Sequence, residues 1–195
     1  MPNAVVSPSL TDDLATLPDP LVCVDRSRVT SAAIWTDKRR PEILRLFSTQ
    51  MYGRTPDKDV AVSWVLVETN DHALGGQATR KQVVGRIAGS HLEIDLLLYL
   101  PDHRRGPVPV FLGLNFHGNH TVSAEPEIRL AHSWVPDGDD HTASEDARGQ
   151  DAASWPIGEI IARGYGVATV YCGDLDPDDD DGFQNGIHPL FYAAG

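Results

Sequence analysis

The fold is decided by the stretch Pro109-Val110-Phe111-Leu112-Gly113-Leu114-Asn115-Phe116-His117-Gly118-Asn119-His120-Thr121. Residues 108–116 are almost all apolar, which is typical of a strand that protein covers on both faces. The apolar run ends abruptly in a small polar turn that contains His117 and Gly118. We therefore predict a buried parallel strand that delivers a His-Gly loop at its carboxyl end.

Three β segments are predicted before this strand. Apolar and polar residues alternate over residues 60–69, and two further β segments cover residues 82–87 and 91–100. The Gly89-Ser90 step between the last two segments is short enough for a hairpin. Together the three segments indicate an antiparallel meander at the edge of a sheet.

A second buried strand is predicted after it, over residues 167–171. Ser154 and Pro156 are suited to start a helix that Gly164 ends, and this helix separates the two buried strands. A strand, a crossover helix and a strand in this order form a right-handed unit with parallel strands. The sequence thus predicts an α/β fold with a mixed, mainly parallel sheet and flanking helices.

The amino-terminal part predicts two further features. Residues 1–19 are rich in Pro, Ser and Asp without periodicity, so we expect an extended arm, with residues 20–195 forming the α/β domain. A helix is predicted with Asp37 as its cap and Pro41 in its first turn, ending at Gly53. Its apolar positions form one stripe, at Ile43, Leu44, Phe47 and Met51.

Composition excludes several classes of partner. The net charge of −12 argues against nucleic acid, because such binding requires clustered Lys and Arg. No stretch approaches the roughly 20 apolar residues of a membrane-spanning helix, and the amino terminus has no signal-peptide pattern. We expect a cytoplasmic chain as the sequence is written, or an exported one if a leader is missing. Cys23 and Cys172 are expected to be small buried thiols, with a disulfide between them as the alternative.

Four sequence blocks resemble bacterial glucuronoyl esterases, carbohydrate esterase family fifteen. The first block is the segment of residues 34–47 with Tyr52-Gly53-Arg54-Thr55-Pro56, and the second is residues 111–121. The third joins Arg148-Gly149 with Ser154-Trp155-Pro156, and the fourth is residues 163–174. The blocks occur in the same order as in the family, and the resemblance runs from about Pro18 to the last residue.

The resemblance implies the amino-terminal part of a serine esterase with an α/β-hydrolase fold. Such enzymes cleave the ester between the glucuronic acid side groups of xylan and lignin alcohols, without a cofactor. Their nucleophilic Ser lies in a Gly-His-Ser-Arg elbow, the neighbouring Arg helps to hold the oxyanion, and the acid and the His follow later. The 195 residues contain no Gly-x-Ser-x-Gly elbow. We therefore expect no catalytic residue in this chain and no turnover by the chain alone.

The substrate-side candidates are His117, Gly118, Asn119 and Trp155. Backbone amides near Gly118 and Asn119 could help an oxyanion, since Gly permits close approach. The alternative, which we favour, is that Asn115, His117 and Asn119 hydrogen-bond the loop shut. Trp155 follows the long polar segment 119–151 directly and could line a binding face, although large aromatic side chains more often fill a core.

Other chemistries find less support in the polar segment. His120, His132 and His141 lie in this segment with several serines, and His117 lies just before it. No Ser occupies a glycine-flanked turn between a strand and a helix. The same histidines lack the spaced carboxylates or cysteines that would complete a metal site, so no metal is predicted. Asp174, after the second buried strand, is expected to be a structural hydrogen-bond acceptor.

Two alternatives to the partial esterase stay open. The chain could be a noncatalytic carbohydrate-binding or partner-binding domain on a degenerate hydrolase scaffold. Against this, we expect the strand at 167–171 to form an exposed edge that favours aggregation. A second alternative is an esterase of the same fold that acts on acetylated xylan.

Overall fold

The computed structural model describes residues 17–192 of the chain. It divides into two compact units, of which the first ends at Asp57 and the second begins at Lys58. The predicted arm, residues 1–19, lies mostly outside the described residues, so the arm and the domain boundary after it stay predictions. No helix within residues 17–192 is long and apolar enough to cross a bilayer.

Residues 17–57 of the first unit contain one helical segment with three successive parts. These are α1 (Ala32–Ile34), a π-helix (Trp35–Arg39) and α2 (Arg40–Gln50). Ser31 caps the segment, because its hydroxyl accepts the Ile34 N–H at 3.3 Å. The predicted cap, Asp37, is wrong, since Asp37 lies inside the π-helix. Pro41 occupies the first turn of α2, as predicted.

The second unit is organised by a five-stranded sheet in the order β1-β2-β3-β5-β4. Its strands are β1 (Val62–His72), β2 (Ala78–Ile87), β3 (Glu93–Pro101), β4 (Val110–Asn115) and β5 (Gly166–Tyr171). The short α3 (Ala73–Gly76) connects β1 to β2, and α4 (Ile157–Ala162) precedes β5. Short 3₁₀ helices follow β4 and β5 at Asn119–Thr121 and Cys172–Asp174, and others occur at Asp139–His141, Glu145–Ala147 and His188–Phe191.

Strand pairing confirms both predicted parts of the sheet. β1, β2 and β3 form the antiparallel meander, and β4 and β5 form the parallel pair, with Phe111 opposite Val167 and Asn115 opposite Tyr171. The proportion differs from the prediction of a mainly parallel sheet. β5 joins β3 in antiparallel orientation, so three of the four pairings among the described strands are antiparallel.

The prediction that β4 is buried on both faces is wrong, and so is the prediction that residues 167–171 form an edge. The crossover through α4 returns β5 between β3 and β4, and β4 is left at the edge. Every residue of β5 is buried. By contrast, Val110, Phe111, Leu112 and Leu114 of β4 are exposed.

The main core lies against the central strands and explains why α4 forms. Ile157 and Ile161 of α4 pack on a buried cluster that includes Leu97, Tyr99 and Val167. Gly164 then ends the helix with a φ of +84°, a left-handed conformation that glycine adopts at little cost. Ser154 makes no cap, because Pro156 occupies that position. The polar segment 119–151 contributes Val122 and Ile128 to the same core and is thereby packed.

Candidate functional site

The carboxyl ends of β4 and β5 and the amino end of β3 lie at the same end of the strands of the sheet. This follows from the pairing, since β4 and β5 run parallel and β3 runs antiparallel to β5. The predicted His117-Gly118 turn follows β4, Asp174 follows β5, and Asp95 is the third residue of β3. Ligands of open α/β sheets bind at the carboxyl ends of the parallel strands, so this end of the sheet is the candidate site.

The turn requires glycine at position 118. Gly118 has a φ of +103°, and a Cβ there would lie 2.7 Å from Cε1 of His120. Both the backbone conformation and the close approach of the ring therefore exclude a larger residue without rearrangement. The Gly118 N–H donates to Oδ1 of Asn115 at 2.8 Å. This amide is therefore engaged within the turn, as the structural interpretation of His117-Gly118 requires.

A buried amide network fixes the turn to three strands. Asn115 donates through Nδ2 to Oδ1 of Asn119 at 2.7 Å and to Oγ1 of Thr169 at 3.0 Å. Asn119 in turn donates to the backbone oxygen of Asp95 at 2.6 Å. Since Asn115, Asn119 and Thr169 are all buried, each bond satisfies a polar group that water cannot reach. The network links β3, β4 and β5 at the candidate site.

His117 lies between two carboxylates from the polar segment. Its Nδ1 is 2.8 Å from Oδ2 of Asp151, and its Nε2 is 3.3 Å from Oδ2 of Asp137. Thr121 also donates its hydroxyl to Asp151, at 2.8 Å. The sequence separates His117 from Asp151 by 34 positions, so this contact could be predicted only from the fold. Both ring nitrogens face carboxylate acceptors, so His117 connects the turn to the polar segment at Asp137 and Asp151.

His120 is buried against the turn and makes no hydrogen bond through Nδ1 within the described residues. Burial lowers its pKa, with a smaller contribution from the nearby positive charge of Arg148. A neutral ring is therefore favoured at this position. Among residues 17–192 no hydrogen bond joins a serine hydroxyl to a histidine ring, so the structure brings together no Ser-His pair.

A polar cleft of about 360 Å³ opens at the same end of the sheet, beside the start of β3 and the residues that follow β5. Its polar wall includes Asp95, Ser133 and Asp174, and the cleft is completed by His91, Leu92, Glu93, His132, Trp134, Gly173, Pro177 and Asn185. Asp174 accepts the Ser133 hydroxyl at 2.5 Å and the Asp95 N–H at 3.0 Å. These bonds confirm the predicted structural acceptor.

Two carboxyl groups of this cleft have raised pKa values. Burial raises the pKa of Asp174 to about 6, although its two hydrogen bonds oppose the shift. Burial also raises the pKa of Asp95, against the opposing positive charge of Arg129. Two buried acceptors, Oδ1 of Asp95 and Oδ1 of Asn185, have no hydrogen-bond partner within residues 17–192. Both oxygens are buried, so they are unsatisfied acceptors within the cleft wall and are not exposed to its opening.

Sequence reasoning missed most of this cleft. The sequence indicates Asp174 but not Asp95, because Asp95 is among the first residues of β3, a strand that the sequence predicts from its apolar positions. The signal available was topological: in an antiparallel neighbour of a parallel pair, the first residues of the strand reach the carboxyl end of the pair. Within the described part of the chain, no group of three His, Cys, Asp or Glu side chains is arranged to hold a metal ion.

Trp155 is separated from the polar network. Its ring lies over Gly113 of β4, where a Cβ would be 3.1 Å from the ring, and it packs against the main core cluster. The ring therefore occupies the space left by a residue without a side chain. This position fits the core interpretation of Trp155; its contribution to a binding face stays a prediction.

Known proteins resemble this chain over most of its length. Carbohydrate esterase MZ0003, from an unknown prokaryotic organism, is 48% identical, and the match covers 91% of this chain and 42% of that protein. A solved structure described as a promiscuous CE15 esterase from the marine bacterial metagenome is also 48% identical, with a TM-score of 0.75, and covers 91% of this chain and 45% of its own. A glucuronoyl esterase from Solibacter usitatus is 41% identical, with a TM-score of 0.83, over 92% of this chain and 46% of its own.

These matches agree with the resemblance that the four sequence blocks carry. No protein-family model matches the chain. The chain spans less than half the length of the relatives it matches. It has the fold of the corresponding part of a CE15 esterase, which is an α/β-hydrolase.

Proposed function

We propose that this chain, a relative of the CE15 carbohydrate esterases in sequence and fold, supplies the amino-terminal part of a carboxylic ester hydrolase. The substrate class is a carbohydrate ester, and within it the ester of glucuronic acid that links xylan to lignin alcohols. The observation that carries the proposal is 48% identity over 91% of this chain and only 42% of the relative. That relative is a carbohydrate esterase.

The chemistry requires groups that these 195 residues do not supply. Serine ester hydrolysis needs an activated hydroxyl, a base within hydrogen-bond reach and donors aimed at the developing oxyanion. The chain has no elbow serine, and its turn amide at Gly118 is engaged by Asn115. We infer that the chain builds one wall of the active site and that the nucleophile comes from the remaining part of the domain.

The test is a chimera. Residues 1–195 are joined to the part of carbohydrate esterase MZ0003 that they do not match, and hydrolysis of a glucuronate methyl ester and of acetylated xylan is measured. We expect the chimera to hydrolyse the glucuronate ester and the 195-residue chain to hydrolyse neither. A chimera whose elbow serine is replaced by alanine is the control. Hydrolysis by the chain alone would contradict the proposal, and preference for acetylated xylan would assign the other esterase specificity.

A second candidate function is noncatalytic carbohydrate binding, and the polar cleft favours it. Asp95, Asn185 and Trp134 all line this cleft, and carboxylate and amide side chains can hydrogen-bond sugar hydroxyls. The test is calorimetric titration of the chain with xylo-oligosaccharides. Loss of one acceptor in Asn185→Leu should weaken binding about fivefold, since a hydrogen bond contributes about 1 kcal/mol. The exposed Gln150→Leu change should not, and absence of binding to the unaltered chain would exclude this function.

A further inference from the structure

Asn185 and Gly186 form the only Asn-Gly step in the sequence. They belong to residues 181–187, which form neither a helix nor a strand. Asn185 is half-buried and lines the polar cleft, and Gly186 is buried. A glycine has no side chain to keep its backbone nitrogen away from the carbonyl carbon of a preceding asparagine amide. The step therefore combines an amide with a backbone nitrogen that is sterically open to it.

Neither of these two groups is held by a backbone hydrogen bond within residues 17–192. Oδ1 of Asn185 is buried without a partner, and the Gly186 N–H donates to no backbone oxygen. The other asparagines of the described chain are engaged. Oδ1 of Asn70 accepts a backbone N–H at 2.9 Å, and Asn115 and Asn119 hydrogen-bond each other in the buried network after β4. Asn185 thus differs from them in its neighbour and in its lack of partners.

The backbone of Gly186 lies against the carboxylate of Asp176. A Cβ at position 186 would collide with Oδ1 of Asp176 and with the backbone oxygen of Leu175. The other carboxylate oxygen of Asp176 is 3.3 Å from Nε2 of His188. A carboxylate and an imidazole are the side chains that most often accept protons in proteins. Two potential proton acceptors are therefore close to the Asn-Gly step.

We propose that Asn185 is a site of spontaneous deamidation through a succinimide. The Gly186 nitrogen loses its proton and attacks Cγ of Asn185, so that a new C–N bond forms, the Cγ–Nδ2 bond breaks and ammonia leaves. Water from the cleft then opens the cyclic imide. Addition of water at Cγ gives aspartate, whereas addition at the backbone carbonyl of residue 185 gives isoaspartate. Water is the only co-reactant that the two steps require.

The products alter both the cleft and the packing beside it. Either product adds a carboxylate to the cleft that already contains Asp95 and Asp174, and like charges disfavour each other's ionised forms. Isoaspartate also lengthens the backbone by one atom shortly before Ile187, whose N–H donates to a backbone oxygen at 2.7 Å. The Ile187 side chain packs on a second buried cluster, formed by Ile87, Ile94 and Val170. We therefore expect the modified chain to be less stable than the unmodified chain.

The test is incubation of the folded 195-residue chain in a mildly alkaline buffer, followed by peptide mapping with mass spectrometry. Replacement of an amide by a carboxyl group raises the mass of the peptide, and chromatography separates its aspartate and isoaspartate forms. We expect Asn185 to be converted about tenfold faster than Asn70, Asn115 or Asn119, since it alone of the four precedes glycine. The control is Asn185→Gln, whose longer side chain would have to close a larger ring. The mass increase should be absent from this variant, and circular dichroism checks that it is folded.

A parallel incubation in urea determines whether the fold permits the reaction. Conversion of Asn185 in urea but not in the folded chain would overturn the proposal, because the fold would then hold the amide and the Gly186 nitrogen apart. Equal conversion of Asn70 and Asn185 would also overturn it, and so would the same mass increase in Asn185→Gln. Neither ester hydrolysis nor sugar binding enters these measurements, so their outcome is independent of the proposed function.

Discussion

β4 and β5 are neighbouring parallel strands of six residues each, yet their environments are opposite. All of β5 is buried, because β3 and β4 flank it and the main core packs on it. β4 is equally apolar over residues 110–114, but most of it is exposed. Apolar sequence therefore indicates a strand that is suited to burial, and topology decides whether the neighbours are present.

The largest expected effect comes from placing a charge in each strand. Val167→Asp buries an unpaired carboxylate in β5 and should lower the free energy of unfolding by about 4 kcal/mol. Leu112→Asp adds an exposed charge to β4 and should change it by no more than about 0.5 kcal/mol. Urea unfolding followed by circular dichroism measures both. Equal destabilisation by the two substitutions would contradict the comparison.

A pH effect is expected after β5, at Asp174. Burial raises its pKa from 3.8 to about 6, so between these values the folded chain retains a proton that the unfolded chain has released. The free energy of unfolding should therefore fall as pH rises through this window, by roughly 3 kcal/mol. Unfolding curves of the unaltered chain and of Asp174→Asn across the window measure this contribution. The variant should lose this part of the slope, and parallel pH profiles would refute the assignment.

A smaller effect is expected after β4, at the His-Gly turn. Gly118→Ala places a Cβ against His120 and also forces alanine into a positive φ, whereas Gly164→Ala meets no atom within 4 Å and changes only the backbone term. We expect about 1 kcal/mol of destabilisation for Gly164→Ala and about 1 to 2 kcal/mol more for Gly118→Ala. Thermal unfolding compares the two. Equal losses would show that the ring contact at Gly118 has no energetic role.

The sequence was sufficient to predict all five described strands and both the antiparallel and the parallel pairing. It did not predict where β2 begins, because residues 78–81 include Arg80, which is fully buried in the structure. Glu68 and Glu125 make this burial possible, each with an oxygen 3.1 Å from the guanidinium. A local sequence pattern cannot predict that a buried Arg is paired with carboxylates from distant positions.

For the candidate site, the sequence predicts where its residues lie along the strands but not which of them are in contact. The turn at His117-Gly118 and the acceptor Asp174 each follow a strand, and their place at the carboxyl edge follows from a parallel pair. The contacts of His117 with Asp137 and Asp151 depend on how the polar segment returns to the turn. That path is fixed by packing of Val122 and Ile128 in the core, which has no periodic signal.

Amide hydrogen exchange tests most directly whether neighbouring strands, and not apolar sequence alone, protect β4 and β5. We predict slow exchange for β5, which lies between β3 and β4. The β4 amides that are not paired with β5 should exchange rapidly. Equal protection of these β4 amides and of the β5 amides would contradict the account.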